Sequence, residues 1–185
     1  RSRGLGDVYK RQDPGVKTMG VAIMKDLDLR YWGIKRIRKT GMNKKELLEK
    51  TEKILLSLIN RYKPDVLIIQ KLFFVQQKES PNLKALNRKI RLFAMKNKIQ
   101  PIEYNPLEVR SFLCQNGRPT KMKAAKTICE NYYPFLFRYY YKDLNKKWWQ
   151  EKYYIKMFNA IALGIYYLKN ERYPRNCSKN RSVCL

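Results

Sequence analysis

The run VLIIQKLFF, residues 66–74, most constrains the fold of this chain. It follows Pro64-Asp65 and a stretch, residues 43–63, whose apolar residues recur at helical spacing. A short, continuous apolar run after a helix is typical of a parallel strand that is buried on both faces. Such a strand needs helices on both sides of its sheet, so the sequence predicts an α/β layered domain.

The rest of the chain supplies the other elements of such a domain. Asn43 is a predicted helix N-cap, with Glu46 three residues on. The predicted order begins β-β-α-β-α-β and continues with helices. Strands are predicted over 16–24, 31–39, 66–74 and 99–106, and helices over 43–63, 82–98, 106–114, 121–133 and 151–170. We expect residues 134–149 to form an aromatic, basic connector, and residues 171–185 a basic C-terminal tail.

The charge of the chain points to a polyanionic partner. The sequence contains 41 Lys and Arg against 15 Asp and Glu, a formal net charge of +26. Self-repulsion of this size favours a partner that neutralises it, and nucleic acid is the first candidate. The alternative is a lysine-rich proteome encoded by an AT-rich genome, which would raise the charge without any nucleic-acid partner.

Several classes of chemistry are excluded by what the sequence lacks. The chain has no histidine, which removes Ser-His-Asp catalysis and histidine zinc sites. A metal site would have to use carboxylates and would favour Mg²⁺ or Mn²⁺. The four cysteines form no C-x-x-C pair, so we expect reduced thiols and an intracellular, cytoplasmic location. No apolar run is long enough to span a bilayer, and no membrane partner is expected.

Four segments, in order, resemble the motifs of one family. They are DPGVKTMGVAIM (13–24), PDVLIIQKLFF (64–74), IEYNPLEVRSFLCQNGRPTKMKAAKTI (102–128) and KMFNAIALGIYYL (156–168). Together they resemble the RuvC-type Holliday junction resolvases, a branch of the RNase H-like superfamily. The resemblance spans about residues 13–170, which we expect to form one nuclease domain.

The resemblance implies a fold and an activity. The expected fold is RNase H-like α/β, with a central mixed five-stranded sheet flanked by helices. The expected function is structure-selective, Mg²⁺- or Mn²⁺-dependent cleavage of branched DNA by a homodimer. In that chemistry, clustered carboxylates hold two metal ions that activate water and stabilise the leaving oxygen.

The resemblance also assigns the catalytic positions. Asp13 matches the first acid of the family, whereas Gln70 stands where a Glu is usual and Asn159 where an Asp is usual. Lys156, three residues before Asn159, stands where a further Asp or His is usual. The implied catalytic set is therefore Asp13, Gln70, Lys156 and Asn159, and the implied metal ligands are Asp13, Gln70 and Asn159.

This set has lost most of its negative charge. Gln and Asn offer carbonyl oxygens but no charge, and hard divalent ions bind weakly to such a cage. Glu103, Asp143 and Glu151 are the candidates for compensating acids.

The predicted DNA contacts lie in two places. Phe73 and Phe74 follow the second motif, where the resemblance implies an aromatic that stacks on bases at the junction centre; core packing is the alternative. Arg118, Lys121 and Lys123 surround GRPTK, a turn suited to phosphate binding; a solvated run of charge is the alternative.

Residues 1–12 do not fit a buried first strand. GDVYKRQ, which precedes Asp13, resembles one reading frame of an adapter used in sequencing libraries, so we expect residues 1–12 to be a non-native leader. A native polar leader is the alternative. These residues hold four Lys or Arg and one Asp, so the net charge without them is +23 and the nucleic-acid argument is unchanged.

Three functions therefore stay open. The first is a RuvC-like endonuclease that cleaves branched DNA. The second is a catalytically inactive relative that binds branched or double-stranded nucleic acid, which Gln70, Lys156 and Asn159 favour. The third is another RNase H-like nuclease branch.

Overall fold

The computed structural model describes residues 17–37, 41–71, 81–115, 117–147, 152–172 and 182–184. Over this part of the chain the protein is an α/β domain, as the sequence predicts. The strands are β1 (Thr18–Lys25), β2 (Asp28–Arg36), β3 (Val66–Gln70), β4 (Gln100–Tyr104) and β5 (Ser182–Cys184). The helices are α1 (Lys44–Tyr62), α2 (Pro81–Lys96), α3 (Pro106–Leu113), α4 (Lys121–Asn131), α5 (Phe137–Leu144) and α6 (Ile155–Tyr167).

The strands form two longer pairs, and one short strand, β5, joins them. β1 pairs antiparallel with β2, and β3 pairs parallel with β4. The backbone of β5, which lies within the predicted tail, pairs antiparallel with residues 23–25 and parallel with residues 66–67, giving the order β2-β1-β5-β3-β4. Among the described residues, only the three of β5 bridge the two longer pairs, so a full RNase H-like central sheet of five strands stays a prediction.

The sheet separates two apolar cores, because alternate residues of a strand point to opposite faces. Ala22 and Ile68 belong to the core on the side of α3, α4 and α6, whereas Val21 and Leu67 belong to the core on the side of α1 and α2. Four consecutive residues of β3, 66–69, are buried. This confirms the prediction of a parallel strand covered on both faces.

The start of α1 also follows the sequence prediction. The backbone N–H of Glu46 donates to Asn43 Oδ1 at 2.9 Å, and the backbone N–H of Asn43 donates to Glu46 Oε2 at 3.1 Å. Both donors of this capping box would otherwise lack an intrahelical partner. The capping box of residues 43–46 therefore determines where this helix begins.

Two segments differ from the predictions. β2 begins at Asp28, three residues before its predicted start, because the chain reverses at Asp26 with a positive φ of 55°. The predicted connector over 134–149 is wrong in part, since it contains a 3₁₀ turn and the helix α5. Leu136 and Tyr140, four residues apart, are both buried, and this helical spacing is obscured in the sequence by the neighbouring tyrosines.

Candidate nucleic-acid site

A cavity of about 320 Å³ lies between β1 and β3, beside α6. Most of its lining residues are apolar, and these come chiefly from both strands and from α2. Polar side chains also line it, and several of them come from the start of β1, the end of β3 and the first turns of α4 and α6. They are Thr18, Gln70, Asn87, Lys121, Lys156 and Asn159.

The position of α6 depends on a glycine in β1. A Cβ added at Gly20 would overlap the backbone carbonyl of Lys156, so the helix lies directly on the strand. This close approach brings the first turn of α6 to the start of β1. Lys156 and Asn159, three residues apart on one face of the helix, consequently both line the cavity.

Lys156 is bound to the strand that it faces. Its Nζ donates to Thr18 Oγ1 at 2.6 Å, a contact between residues 138 positions apart in the sequence. Thr18 is buried and Lys156 is partly buried. Lys156 is also the second residue of α6, where the helix dipole disfavours a cation by about 0.3–1 kcal/mol. The contact with Thr18 holds this unfavourable charge at the cavity.

Two further cations strengthen the positive potential. Desolvation, together with the nearby charges of Arg110 and Lys156, lowers the pKa of Lys121 below its usual value, although Lys121 is an exposed lining residue of the cavity. Desolvation likewise lowers the pKa of Arg110, whose Nε is buried and has no hydrogen-bond partner among the described residues. Two positive charges therefore line the cavity, and a third, Arg110, lies near Lys121.

The structure divides the predicted site residues into three groups. Gln70, Lys121, Lys156 and Asn159 are brought together at the cavity. Arg118 is exposed and does not line the cavity, and Lys123 lines a separate cavity of about 230 Å³ with Cys114 and Tyr132. Asp13, Phe73 and Phe74 lie outside the described residues.

The described candidates for compensating acids do not line the cavity. Glu103 lies on β4 and forms an ion pair with Arg91 at 3.4 Å. The carboxylate of Asp143 accepts hydrogen bonds from the backbone N–H groups of Tyr153 and Ile155, at 2.9 and 2.7 Å. Glu151 lies outside the described residues.

The described cavity residues do not fit the divalent metal ions that the resemblance implies. They offer neutral amide and hydroxyl oxygens beside two ammonium groups, whereas protein sites for hard divalent ions usually include carboxylate oxygens. In the part of the chain that the structure describes, no three acidic or cysteine side chains are grouped as a metal site would require. The chemistry that this arrangement supports is the binding of an anion.

Sequence reasoning missed three residues that matter at this site, namely Thr18, Asn87 and Arg110. Asn87 donates from Nδ2 to the backbone carbonyl of Gln70 at 3.4 Å, which connects α2 to the end of β3. Arg110 follows the Asn105-Pro106 start of α3, and nothing local in the sequence marks it as a neighbour of Lys121. Their roles depend on long-range packing, which no short motif records.

Comparisons with known proteins agree with this architecture. The fold and the cavity define an α/β protein with a polar site at the carboxyl end of a parallel strand, where such sheets commonly bind their ligands. Residues 11–130 match the family model described as "Crossover junction endodeoxyribonuclease RuvC", and the chain belongs to this family. This confirms the family that the sequence motifs predict, the Holliday junction resolvases, which are DNA-binding nucleases of recombination and repair.

Two solved structures share the fold. Thermus thermophilus RuvC is 14% identical and matches with a TM-score of 0.62, over 84% of this chain and 92% of that chain. The same protein in complex with a Holliday junction substrate is 13% identical, with a TM-score of 0.61 over 84% of this chain and 91% of that chain. No curated protein sequence matches this chain. Among the described residues, no helix has the length and apolar character needed to cross a membrane.

Proposed function

We propose that this chain is a resolvase-like protein that recognises four-way DNA junctions. The observation that carries the proposal is the cavity at the end of β3, where Lys121 and Lys156 stand beside Gln70 and Asn159. Membership of the RuvC family supports branched DNA as the partner, as does the Holliday junction bound to the Thermus thermophilus protein. The net charge of +26 supplies the general attraction for DNA.

The DNA contacts belong to the same proposal. Three cations, Arg118, Lys121 and Lys123, bind backbone phosphates. The aromatic side chains of Phe73 and Phe74 stack on bases at the junction centre. Lys121 and Lys123 lie on the first turn of α4 and line different cavities, so they are suited to contact different phosphates.

Cleavage of the junction is the second candidate function, which family membership favours. This function requires an RNase H-like domain with a five-stranded sheet over residues 13–170. It also requires a homodimer that matches the two-fold symmetry of a junction, and Mg²⁺ or Mn²⁺ as cofactor. Asp13, Gln70 and Asn159 would be the ligands, with Lys156 at the fourth catalytic position. Because the described members of this set bring no carboxylate, the geometry supports recognition better than cleavage.

One experiment separates the two functions. A labelled four-way junction and a linear duplex of matched sequence are incubated with the protein in Mg²⁺, in Mn²⁺ and in chelator, and both binding and cutting are measured. We expect preferential junction binding with no cutting. Metal-dependent cutting that is lost in Asp13→Asn would instead establish the nuclease, and equal affinity for both substrates would contradict junction recognition.

A variant identifies the residues responsible for a lack of cutting. The double change Gln70→Glu and Asn159→Asp returns two carboxylates to the cavity rim. If these two positions disarm the site, the double variant gains Mg²⁺-dependent cutting of the junction, and Asp13→Asn in the same background removes it. The matched control is the double change Gln100→Glu and Asn60→Asp, because it adds the same two charges at exposed positions that line neither cavity.

A further inference from the structure

We infer that the ammonium group of Lys156 takes the place of a divalent metal ion, and with Lys121 binds the non-bridging oxygens of one DNA phosphodiester in the cavity. The inference rests on the proposed function, since DNA supplies the phosphate. It concerns how the same cavity holds that DNA. Its consequence is that phosphate binding in the cavity depends on the charges of Lys156 and Lys121.

The position of Lys156 is the first reason. Its Nζ is fixed at 2.6 Å from Thr18 Oγ1, and Thr18 itself is buried at the start of β1. A lysine held in this way is preorganised, so little of its side-chain entropy remains to be lost when an anion binds. The contact also keeps a cation in the first turn of α6, where acids are preferred.

The local excess of positive charge is the second reason. Desolvation lowers the pKa of Lys121, and repulsion from Arg110 and Lys156 lowers it further. Arg110 Nε is buried without a hydrogen-bond partner among the described residues. A bound phosphate would relieve this repulsion, whereas a divalent cation would add to it.

The two amides are the third reason. Gln70 and Asn159 line the same cavity, and each carries an NH₂ group that can donate to a phosphate oxygen. Carboxylates at these positions would repel a phosphate unless metal ions stood between them. The rim of the cavity is thus suited to bind an anion rather than metal cations, because of the side chains of Gln70, Lys156 and Asn159 together.

The test measures junction affinity in excess chelator by fluorescence anisotropy of a labelled four-way junction, over a range of salt concentrations. We expect wild-type affinity to be the same in chelator and in Mg²⁺. Lys156→Gln and Lys121→Gln should each weaken binding about tenfold and reduce the salt slope by about one. Lys156→Arg, which keeps the charge, should retain most of the affinity.

The matched control is Lys53→Gln, which removes the same charge from an exposed position on α1 that does not line the cavity. Its affinity should stay within about twofold of wild type, as for a charge outside the contact. Wild-type binding that disappears in chelator would overturn the inference. So would a Lys156→Gln variant whose affinity equals that of Lys53→Gln.

A second measurement does not depend on whether the variants fold. Wild-type protein is acetylated with and without the junction in chelator, and the modification of each lysine is measured by mass spectrometry. Protection of Lys156 and Lys121, with Lys53 unchanged, is the expected result, and unchanged modification of Lys156 would overturn the inference. The junction-to-duplex affinity ratio tests the proposed function separately, because phosphates are common to both substrates.

Discussion

At the scale of single residues, burial determines the behaviour of the described thiols. Cys114 and Cys129 are both buried and unpaired with another cysteine. Burial raises the pKa of both thiols; Lys123 and Arg110 oppose the shift at Cys114, whereas Glu130 adds to it at Cys129. Since the thiolate is the reactive form, both residues are structural rather than reactive cysteines.

Cys129 provides a prediction on pH. Its pKa is raised from 9.0 to about 12, chiefly by burial and further by Glu130. The folded chain therefore keeps a proton that the unfolded chain releases. This contribution to stability is fully present below pH 9 and is lost as the pH rises from 9 towards 12. Denaturant titrations across this interval should show a decreasing free energy of unfolding, with a smaller decrease in Cys129→Ala.

The same residue can be probed chemically. Native Cys129 should resist iodoacetamide at pH 9, and the chain in denaturant should react fully, as measured by mass spectrometry of the peptide. Equal rates in both states would contradict a buried, protonated thiol.

At the scale of secondary structure, α6 begins where Asp143 binds it. Asp143 has 1% of its surface exposed, and its two oxygens accept from the backbone N–H groups of Tyr153 and Ile155. The N-cap residue, Tyr154, provides no side-chain hydrogen bond of its own. Asp143, near the end of α5, thus accepts the backbone hydrogen bonds that the side chain of an N-cap residue would normally accept.

Asp143→Ala tests this role. Loss of two charge-assisted hydrogen bonds at a buried position should lower the free energy of unfolding by about 3 kcal/mol, measured in urea. Asp143→Asn keeps one carbonyl acceptor and should lose about half as much. If both variants match wild type, Asp143 does not hold the start of α6.

Gly20 controls the contact between β1 and α6. Gly20→Ala would place a methyl group against the Lys156 carbonyl, and the helix would have to move away from the strand. We expect a loss of about 3 kcal/mol in the free energy of unfolding, measured by denaturant titration. Gly33→Ala is the matched control in β2, since its Cβ would be 3.4 Å from the nearest atom, Tyr31 Oη, and its effect should stay below about 1 kcal/mol. Equal effects of the two substitutions would contradict the close packing at Gly20.

At the scale of the whole molecule, the excess of cations dominates association with DNA. A formal charge of +26 implies that many phosphates are neutralised on binding, with release of their counterions. The logarithm of the binding constant should therefore fall linearly with the logarithm of salt concentration, by about 0.9 for each phosphate neutralised. Anisotropy titrations with a linear duplex measure this slope, and affinity that does not change with salt would contradict it.

The sequence by itself determined the local structure and the chemistry that is possible. The capping box of Asn43 and Glu46 follows from contacts between near neighbours, and β3 follows from four consecutive apolar residues. The lack of histidine excluded several chemistries, and the positive charge indicated a nucleic-acid partner. The resemblance of four motifs in order indicated the family, which the match over residues 11–130 confirms.

Only the tertiary structure decided which charges meet. Sequence placed Lys121 and Lys123 in one phosphate-binding turn, but residues two positions apart on a helix point in different directions, and the two line separate cavities. It made Asp143 a candidate for the catalytic site, whereas packing directs its carboxylate to the start of α6. The contact of Lys156 with Thr18 spans 138 positions and depends on how closely α6 approaches Gly20. Long-range contacts of this kind depend on the summed packing of many side chains, and no short pattern of residues contains that information.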